Sequence, residues 1–173
     1  MPNTDKTNPI IAPANCADHF SEEDSRIRNI PSANCADHFS EEDARIWKQL
    51  YEAAKSVQKE RMISDYVTAG EVSAAILSSS GKIYTGVCID TCSTLGICAE
   101  RNAIFNMITN GEQEIRKVLA ILPDGKTGAP CGACRELMVQ LMPGTYSSIE
   151  IMLDYENEKV ITLGELTPEW WIK

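Results

Sequence analysis

With 173 residues and 43% apolar content, the chain is long enough for one domain with a hydrophobic core and is ordinary for a globular protein. Its formal net charge of −9 divides into −5 over residues 1–47 and −4 over residues 48–173, so neither part offers the basic footprint that a nucleic-acid backbone demands. The longest apolar run is Val118 to Leu122, far short of a membrane span, and seven cysteines behind a Met1-Pro2-Asn3-Thr4-Asp5-Lys6 start without leader character point to a reduced, cytoplasmic setting.

The first element met along the chain is a duplication. Ala14-Asn15-Cys16-Ala17-Asp18-His19-Phe20-Ser21-Glu22-Glu23-Asp24 recurs unchanged as Ala33 to Asp43. The second copy runs into a helix: Ser40 is placed to cap it, Asp43 stands at the capping-box position, and Ile46, Trp47, Leu50, Ala54 and Val57 form one apolar stripe. In the first copy Arg28 replaces Trp47, and Asn29-Ile30-Pro31 stops the helix. Residues 1–39 therefore read as an acidic arm and residues 40–173 as the folded domain. Each copy carries Cys-x-x-His, Cys16 with His19 and Cys35 with His38. These could join in a second metal site, but a duplication copies whatever it contains, and we favour that plainer reading. They are also the chain's two histidines, so the domain core lacks the commonest general base.

From Glu71 the pattern alternates strands with helices. Glu71 to Leu77 and Lys82 to Cys88 read as strands around a Ser78-Ser79-Ser80-Gly81 turn. Cys98 to Asn110 reads as a helix with Gly111 at its C-terminus, Ile115 to Leu122 as a central strand, and Cys131 to Met142 as a second helix stopped by Pro143-Gly144. Ile149 to Asp154 and Lys159 to Leu163 close the chain as a strand pair around Tyr155-Glu156-Asn157-Glu158. The fold class expected is α/β, a three-layer α/β/α sandwich with a five-stranded mixed sheet.

The chemistry lies in Cys98-Ala99-Glu100 and Pro130-Cys131-Gly132-Ala133-Cys134. Three thiolates make a tetrahedral zinc site with one corner missing, and catalytic zinc sites, unlike structural ones, keep one corner open. Both clusters fall at helix N-termini, and Cys131 and Cys134, three apart, share the face of one first turn. Three thiolates against Zn²⁺ leave a charge of −1. The two helix ends offset this, each by up to about 1 kcal/mol when exposed, as would the guanidinium of Arg101 or, less readily, Arg135. Zinc lowers the pKa of a water toward roughly 7. Glu100 is then the residue to take that proton, pass it to a ring nitrogen and protonate a leaving amine, provided a dry pocket raises its pKa. A thiol-redox protein would also carry Cys-x-x-Cys at a helix start, but has no need of Cys98 and Glu100. A closed structural site would need a fourth ligand, for which Cys88 and Cys92 are the nearby candidates. The thiol–Glu–Pro-Cys-x-x-Cys order is that of zinc-dependent deaminases.

Over about residues 40–173 the chain resembles the cytidine deaminase family. The resemblance rests on Val72-Ser73-Ala74-Ala75, Gly81-Lys82-Ile83-Tyr84-Thr85-Gly86, Cys98-Ala99-Glu100-Arg101, Pro130-Cys131-Gly132-Ala133-Cys134-Arg135 and Glu165-Leu166-Thr167-Pro168. It implies one zinc ion per subunit on Cys98, Cys131 and Cys134, proton transfer by Glu100, contact of the Ala99 backbone with a cytosine ring, and a homotetramer whose subunits share active sites. Trp171 falls where the family places an aromatic that caps a neighbouring pocket, though Trp170 and Trp171 serve equally well as an interface seal. Where the family has Asn-x-Glu to hold a ribose, this chain has Cys88-Ile89-Asp90. The blasticidin-S deaminase branch lacks the same clamp and shares Leu141-Met142-Pro143-Gly144 and an aromatic-rich close, whereas Arg101 and Ala133 match cytidine deaminases. The expected substrate is a small cytosine-type nucleoside or analogue, with water as co-substrate. Blasticidin S is favoured, with cytidine or deoxycytidine second. A non-catalytic zinc-binding member is the alternative from another class, which an intact Glu100 disfavours.

Overall fold

The computed structural model describes residues 39–171. Cys16, His19, Cys35, His38 and all but the last residue of the expected arm lie outside them. Among the described residues, helix α1 spans Glu41–Val57, and the Ser40 hydroxyl accepts the Asp43 N–H at 3.1 Å, as a cap should. Three acids open the helix and Lys55 closes it, both matching its dipole. Trp47, Leu50 and Ala54 of the expected stripe are buried.

The sheet holds β1 (Arg61–Ser64), β2 (Val67–Ser78), β3 (Ile83–Thr91), β4 (Ile115–Ile121), β5 (Glu150–Asp154) and β6 (Lys159–Thr162). β2 pairs with β3 and β4, β4 with β5 and β5 with β6, all antiparallel except the parallel β4–β5 pair. Those five strands are the expected mixed sheet. The sixth, β1, is an addition that pairs only with Val67–Ala69 of β2, ahead of the Ser73–Ser78 stretch that pairs with β4. All four of its residues are exposed, so it carries no alternating pattern by which to be recognised. β2 accordingly starts four residues before the expected Glu71.

Helices α2 (Ala99–Thr109) and α3 (Gly132–Leu141) take the face opposite α1, and a short α4 (Leu163–Leu166) follows β6 under a Thr162/Glu165 capping box. The pleat divides the core between the faces. Ala74, Ile76, Val118 and Ala120 pack with Ala103, Ile104, Met107 and Met138, while Ala75, Leu77, Leu119 and Ile121 pack with Trp47, Leu50 and Ala54. Covering on both faces is why Ala74 to Leu77 of β2 and Val118 to Ile121 of β4 read as continuous apolar runs. Each fully buried Leu or Ile contributes about 1.5–3 kcal/mol. The exception is Lys117, buried on the α1 face, whose ammonium pairs with Asp43 at 3.2 Å and with Glu150 and lies 4.7 Å over the Trp47 ring. A buried charge is tolerable only with such partners.

One close approach sets the site. A Cβ on Gly86 of β3 would lie 2.3 Å from the Ala103 nitrogen and 2.6 Å from the Ala99 oxygen, so α2 rests directly on the strand backbone. Asn102 and Asn106 then donate from α2 to the carbonyls of Val87 and Thr85, at 2.9 and 3.1 Å. Together these contacts fix where the N-terminus of α2 ends up.

Candidate metal centre and adjoining pocket

Cys98 is the N-cap of α2 and Cys131 the N-cap of α3, with Cys134 in the first turn of α3. Their sulfurs lie within 4.8 Å of one another. Cys131 stands 3.4 Å from both Cys98 and Cys134. Tetrahedral zinc with Zn–S bonds of about 2.3 Å places its sulfurs about 3.8 Å apart, so this donor set fits a single zinc ion. No other Cys, His, Asp or Glu among the described residues joins the group. Cys88 is buried and Cys92 exposed, both outside it. The cluster thus offers three protein ligands and an open fourth position.

The three thiols sit in electrostatically different surroundings. Burial raises the pKa of Cys98, and the neighbouring Cys131 adds to it against the Arg101 guanidinium. Burial also pushes Cys131 up, but the Cys134 N–H and the flanking thiols outweigh it and leave Cys131 below the usual thiol range. Burial and the Glu100 charge drive Cys134 well above that range.

Glu100 is 6% exposed. Burial raises its pKa, against the opposing pull of its own backbone N–H, the Cys134 thiol and Arg101. This is the direction that a carboxylate needs if it is to hold a proton and release it again near neutral pH. Arg101 places Nη2 3.8 Å from the Cys98 sulfur. Arg135 turns away from the thiols instead: its Nε donates to the Pro130 carbonyl at 2.8 Å and its Nη1 to that of Leu166 at 3.0 Å. It braces the loop that carries Cys131.

A cavity of about 340 Å³ opens beside the cluster, of a size for a small ligand. Cys98, Ala99, Glu100, Arg101, Cys131, Cys88 and Asp90 all line it. The cavity wall therefore holds every site residue singled out from the sequence except Cys134, the buried third thiol of the cluster, and Trp171. The Cys88 sulfur accepts the Val72 N–H at 3.2 Å. Trp171 is 68% exposed and outside the cavity wall of its own chain, with its indole N–H and that of Trp170 donating to Glu136 of α3. Sequence reasoning missed Glu71 and Leu122 in the wall. Leu122 had a signal: it follows the end of a central strand with a parallel neighbour, where α/β sheets place their ligands. Glu71 had none beyond its place at a strand start.

A model of the cytidine and deoxycytidylate deaminase zinc-binding region matches residues 44–147. A cytidine deaminase of Halalkalibacterium halodurans is 31% identical over 99 residues, 57% of this chain and 74% of that protein. A blasticidin-S deaminase of Bacillus cereus is 30% identical over 108 residues, 56% of this chain and 74% of that protein. Among solved structures, cytidine deaminase from Burkholderia pseudomallei superimposes with a TM-score of 0.55 at 28% identity, covering 72% of this chain and 98% of that one. The chain belongs to the zinc-dependent cytidine and deoxycytidylate deaminase family, hydrolases of carbon–nitrogen bonds.

Proposed function

We propose that this deaminase removes the exocyclic amino group from a cytosine-type nucleoside analogue, with blasticidin S favoured, leaving the uracil form and ammonia. The observation that carries the reading is the buried Glu100, with its raised pKa, in the wall of the cavity formed beside the three thiols. In this scheme Cys98, Cys131 and Cys134 hold one zinc ion, which when bound supplies the Lewis acidity that makes water a nucleophile at neutral pH. Glu100 takes one proton from the attacking water and delivers it to the ring N3, then takes the second from the hydroxyl formed at C4 and passes it to the amine as the C4–N bond breaks. Oxygen replaces nitrogen at C4 and ammonia leaves, so one water is consumed per turnover. Arg101 offsets the thiolate charge, and the Ala99 backbone contacts the ring.

Substrate choice rests on Cys88 and Asp90. The Cys88 sulfur is already engaged by the β2 backbone, and Asp90 is shorter than the Glu it replaces, so this wall lacks an amide–carboxylate clamp for ribose. That supports the analogue. The second reading, cytidine or deoxycytidine in pyrimidine salvage, draws on the relatives named cytidine deaminases, which match at slightly higher identity. We further propose a cytoplasmic homotetramer of the domain over residues 40–173, in which Trp171 reaches a neighbouring subunit's pocket while residues 1–39 stand as an arm. No helix among the described residues is long and apolar enough to cross a membrane. The test is a side-by-side assay of zinc-loaded protein on blasticidin S, cytidine and deoxycytidine, following loss of the cytosine chromophore, with Glu100→Ala as control. Preference for blasticidin S supports the first reading, preference for cytidine the second, and turnover by Glu100→Ala overturns the assigned role.

A further inference from the structure

Gln58, the residue that ends α1, uses every polar atom of its side chain. Nε2 donates to the carbonyl of Glu71 at 2.9 Å and to that of Leu122 at 3.0 Å, while Oε1 accepts from Lys55 Nζ at 3.0 Å. The lysine contact fixes which way the amide faces, because only its nitrogen can donate to carbonyls. Glu71 and Leu122 both line the cavity beside the thiols. Both also lie just past Ser73 and Ile121, the pair at which the β2–β4 ladder stops. On its other side, β2 breaks register with β3 between Ala69 and Ser73. The carbonyls of this stretch therefore need partners from outside the sheet. Leu122 has one in its own turn, the Gly125 N–H at 3.0 Å; Gln58 supplies the link between the two strands. The neighbouring contact is equally close: a Cβ on Gly70, which has φ +92°, would lie 2.0 Å from the Lys59 oxygen. The exit of α1 is thus pressed against the bulge from which the Glu71–Val72 wall emerges. That wall continues to Cys88 through the Val72 N–H.

We propose that Gln58 is a positioning residue for substrate binding, setting the separation of the two walls of the pocket through the Glu71 and Leu122 carbonyls without touching substrate. It deepens the deaminase reading, since it takes the cavity to be where substrate binds. The decisive variants are Gln58→Leu, which keeps the size and removes the donors, and Lys55→Ala, which keeps the donors and frees the amide to turn. Lys48→Ala, at an exposed pair with Glu52 on the same helix, serves as control. With the substrate the wild type turns over best, Gln58→Leu raises KM about tenfold, the equivalent of one to two ordinary hydrogen bonds, with kcat within about twofold and one zinc per chain retained. Lys55→Ala moves KM the same way by less, and Lys48→Ala not at all. A residue that served stability alone would lower the melting temperature and leave KM unchanged; that result overturns the proposal. Amide hydrogen exchange, which needs no turnover, separates this from failure of the deaminase reading. Gln58→Leu should speed exchange in residues 69–73 and 121–123 while α3 is unaffected, and equal rates in both proteins overturn the positioning role even if no cytosine compound is a substrate.

Discussion

Arg101 Nη2 stands 3.8 Å from Cys98 Sγ, one turn into the helix that Cys98 caps. Three thiolates would leave a zinc ion with a net negative charge, and the guanidinium is the side-chain cation in contact with that set. Outer-shell partners of this kind are worth about 10–100-fold in metal affinity or activity. Arg101→Gln should therefore lower kcat, zinc affinity or both by about that factor, with the circular dichroism spectrum unchanged. Zinc titration against a chelator and steady-state kinetics would read this, and wild-type values in both would remove the charge-compensating role.

Glu100 carries the other half of the chemistry. It lies in the first turn of α2 and is shielded from water, so Glu100→Gln preserves size and burial while removing the proton. Loss of a general acid–base costs about 10²–10⁴-fold. Turnover should fall by at least that much with zinc content and melting temperature held, as measured by metal analysis and calorimetry beside the activity assay. A variant that keeps a tenth of wild-type kcat would send the proton shuttle to another group.

The catalytic half of this site was legible because its residue types are chemically restricted. Three Cys and a Glu at fixed offsets from two helix starts leave little room for another meaning, and Gly111 and Pro143-Gly144 mark where the two helices stop. The rest depends on tertiary context. Gln58 reads in sequence as one more polar residue after a helix, and its meaning comes from two carbonyls, 13 and 64 positions away. Lys117 breaks an apolar strand, and only the fold brings Asp43, Glu150 and Trp47 around it. β1 shows no alternation, because none of the described residues covers either of its faces.

Glu112 provides a pH signature distant from the metal. Ser80 and Tyr84 hydroxyls donate to it at 2.7 and 3.2 Å, and the Lys82 ammonium pairs with it at 2.9 Å. Hydrogen bonds from Ser78, Ser80 and Lys82 hold its pKa down to about 2, against an ordinary 4.5. A carboxylate depressed in the folded state stabilises fully above the unfolded pKa. That contribution fades as pH falls from about 4.5 to about 2, since the unfolded chain takes up the proton first. The melting temperature of Glu112→Gln should lie below that of wild type at pH 7 and converge on it as pH approaches 2. Acid release of zinc acts on both proteins, so their difference isolates the effect; a gap that is constant with pH would mean the network contributes nothing through charge.

Charge in the pocket predicts that a nucleoside is preferred to its nucleotide. Glu71, Asp90 and Glu100 line the cavity, and Arg101 is the one basic side chain among the described residues of its wall. That guanidinium is already directed at Cys98. A 5′-phosphate entering here would bring about two more negative charges toward the Glu71 and Asp90 side chains, and like-charge juxtaposition in a partly desolvated site costs several kcal/mol. The ratio of kcat/KM for deoxycytidine over its 5′-monophosphate should therefore exceed about a hundredfold at low salt and shrink as ionic strength screens the repulsion. The double variant Glu71→Gln, Asp90→Asn should narrow the ratio by improving the nucleotide and not by harming the nucleoside. Equal efficiency on the two substrates would show that the phosphate is held away from this wall, and that the acids serve some purpose other than exclusion.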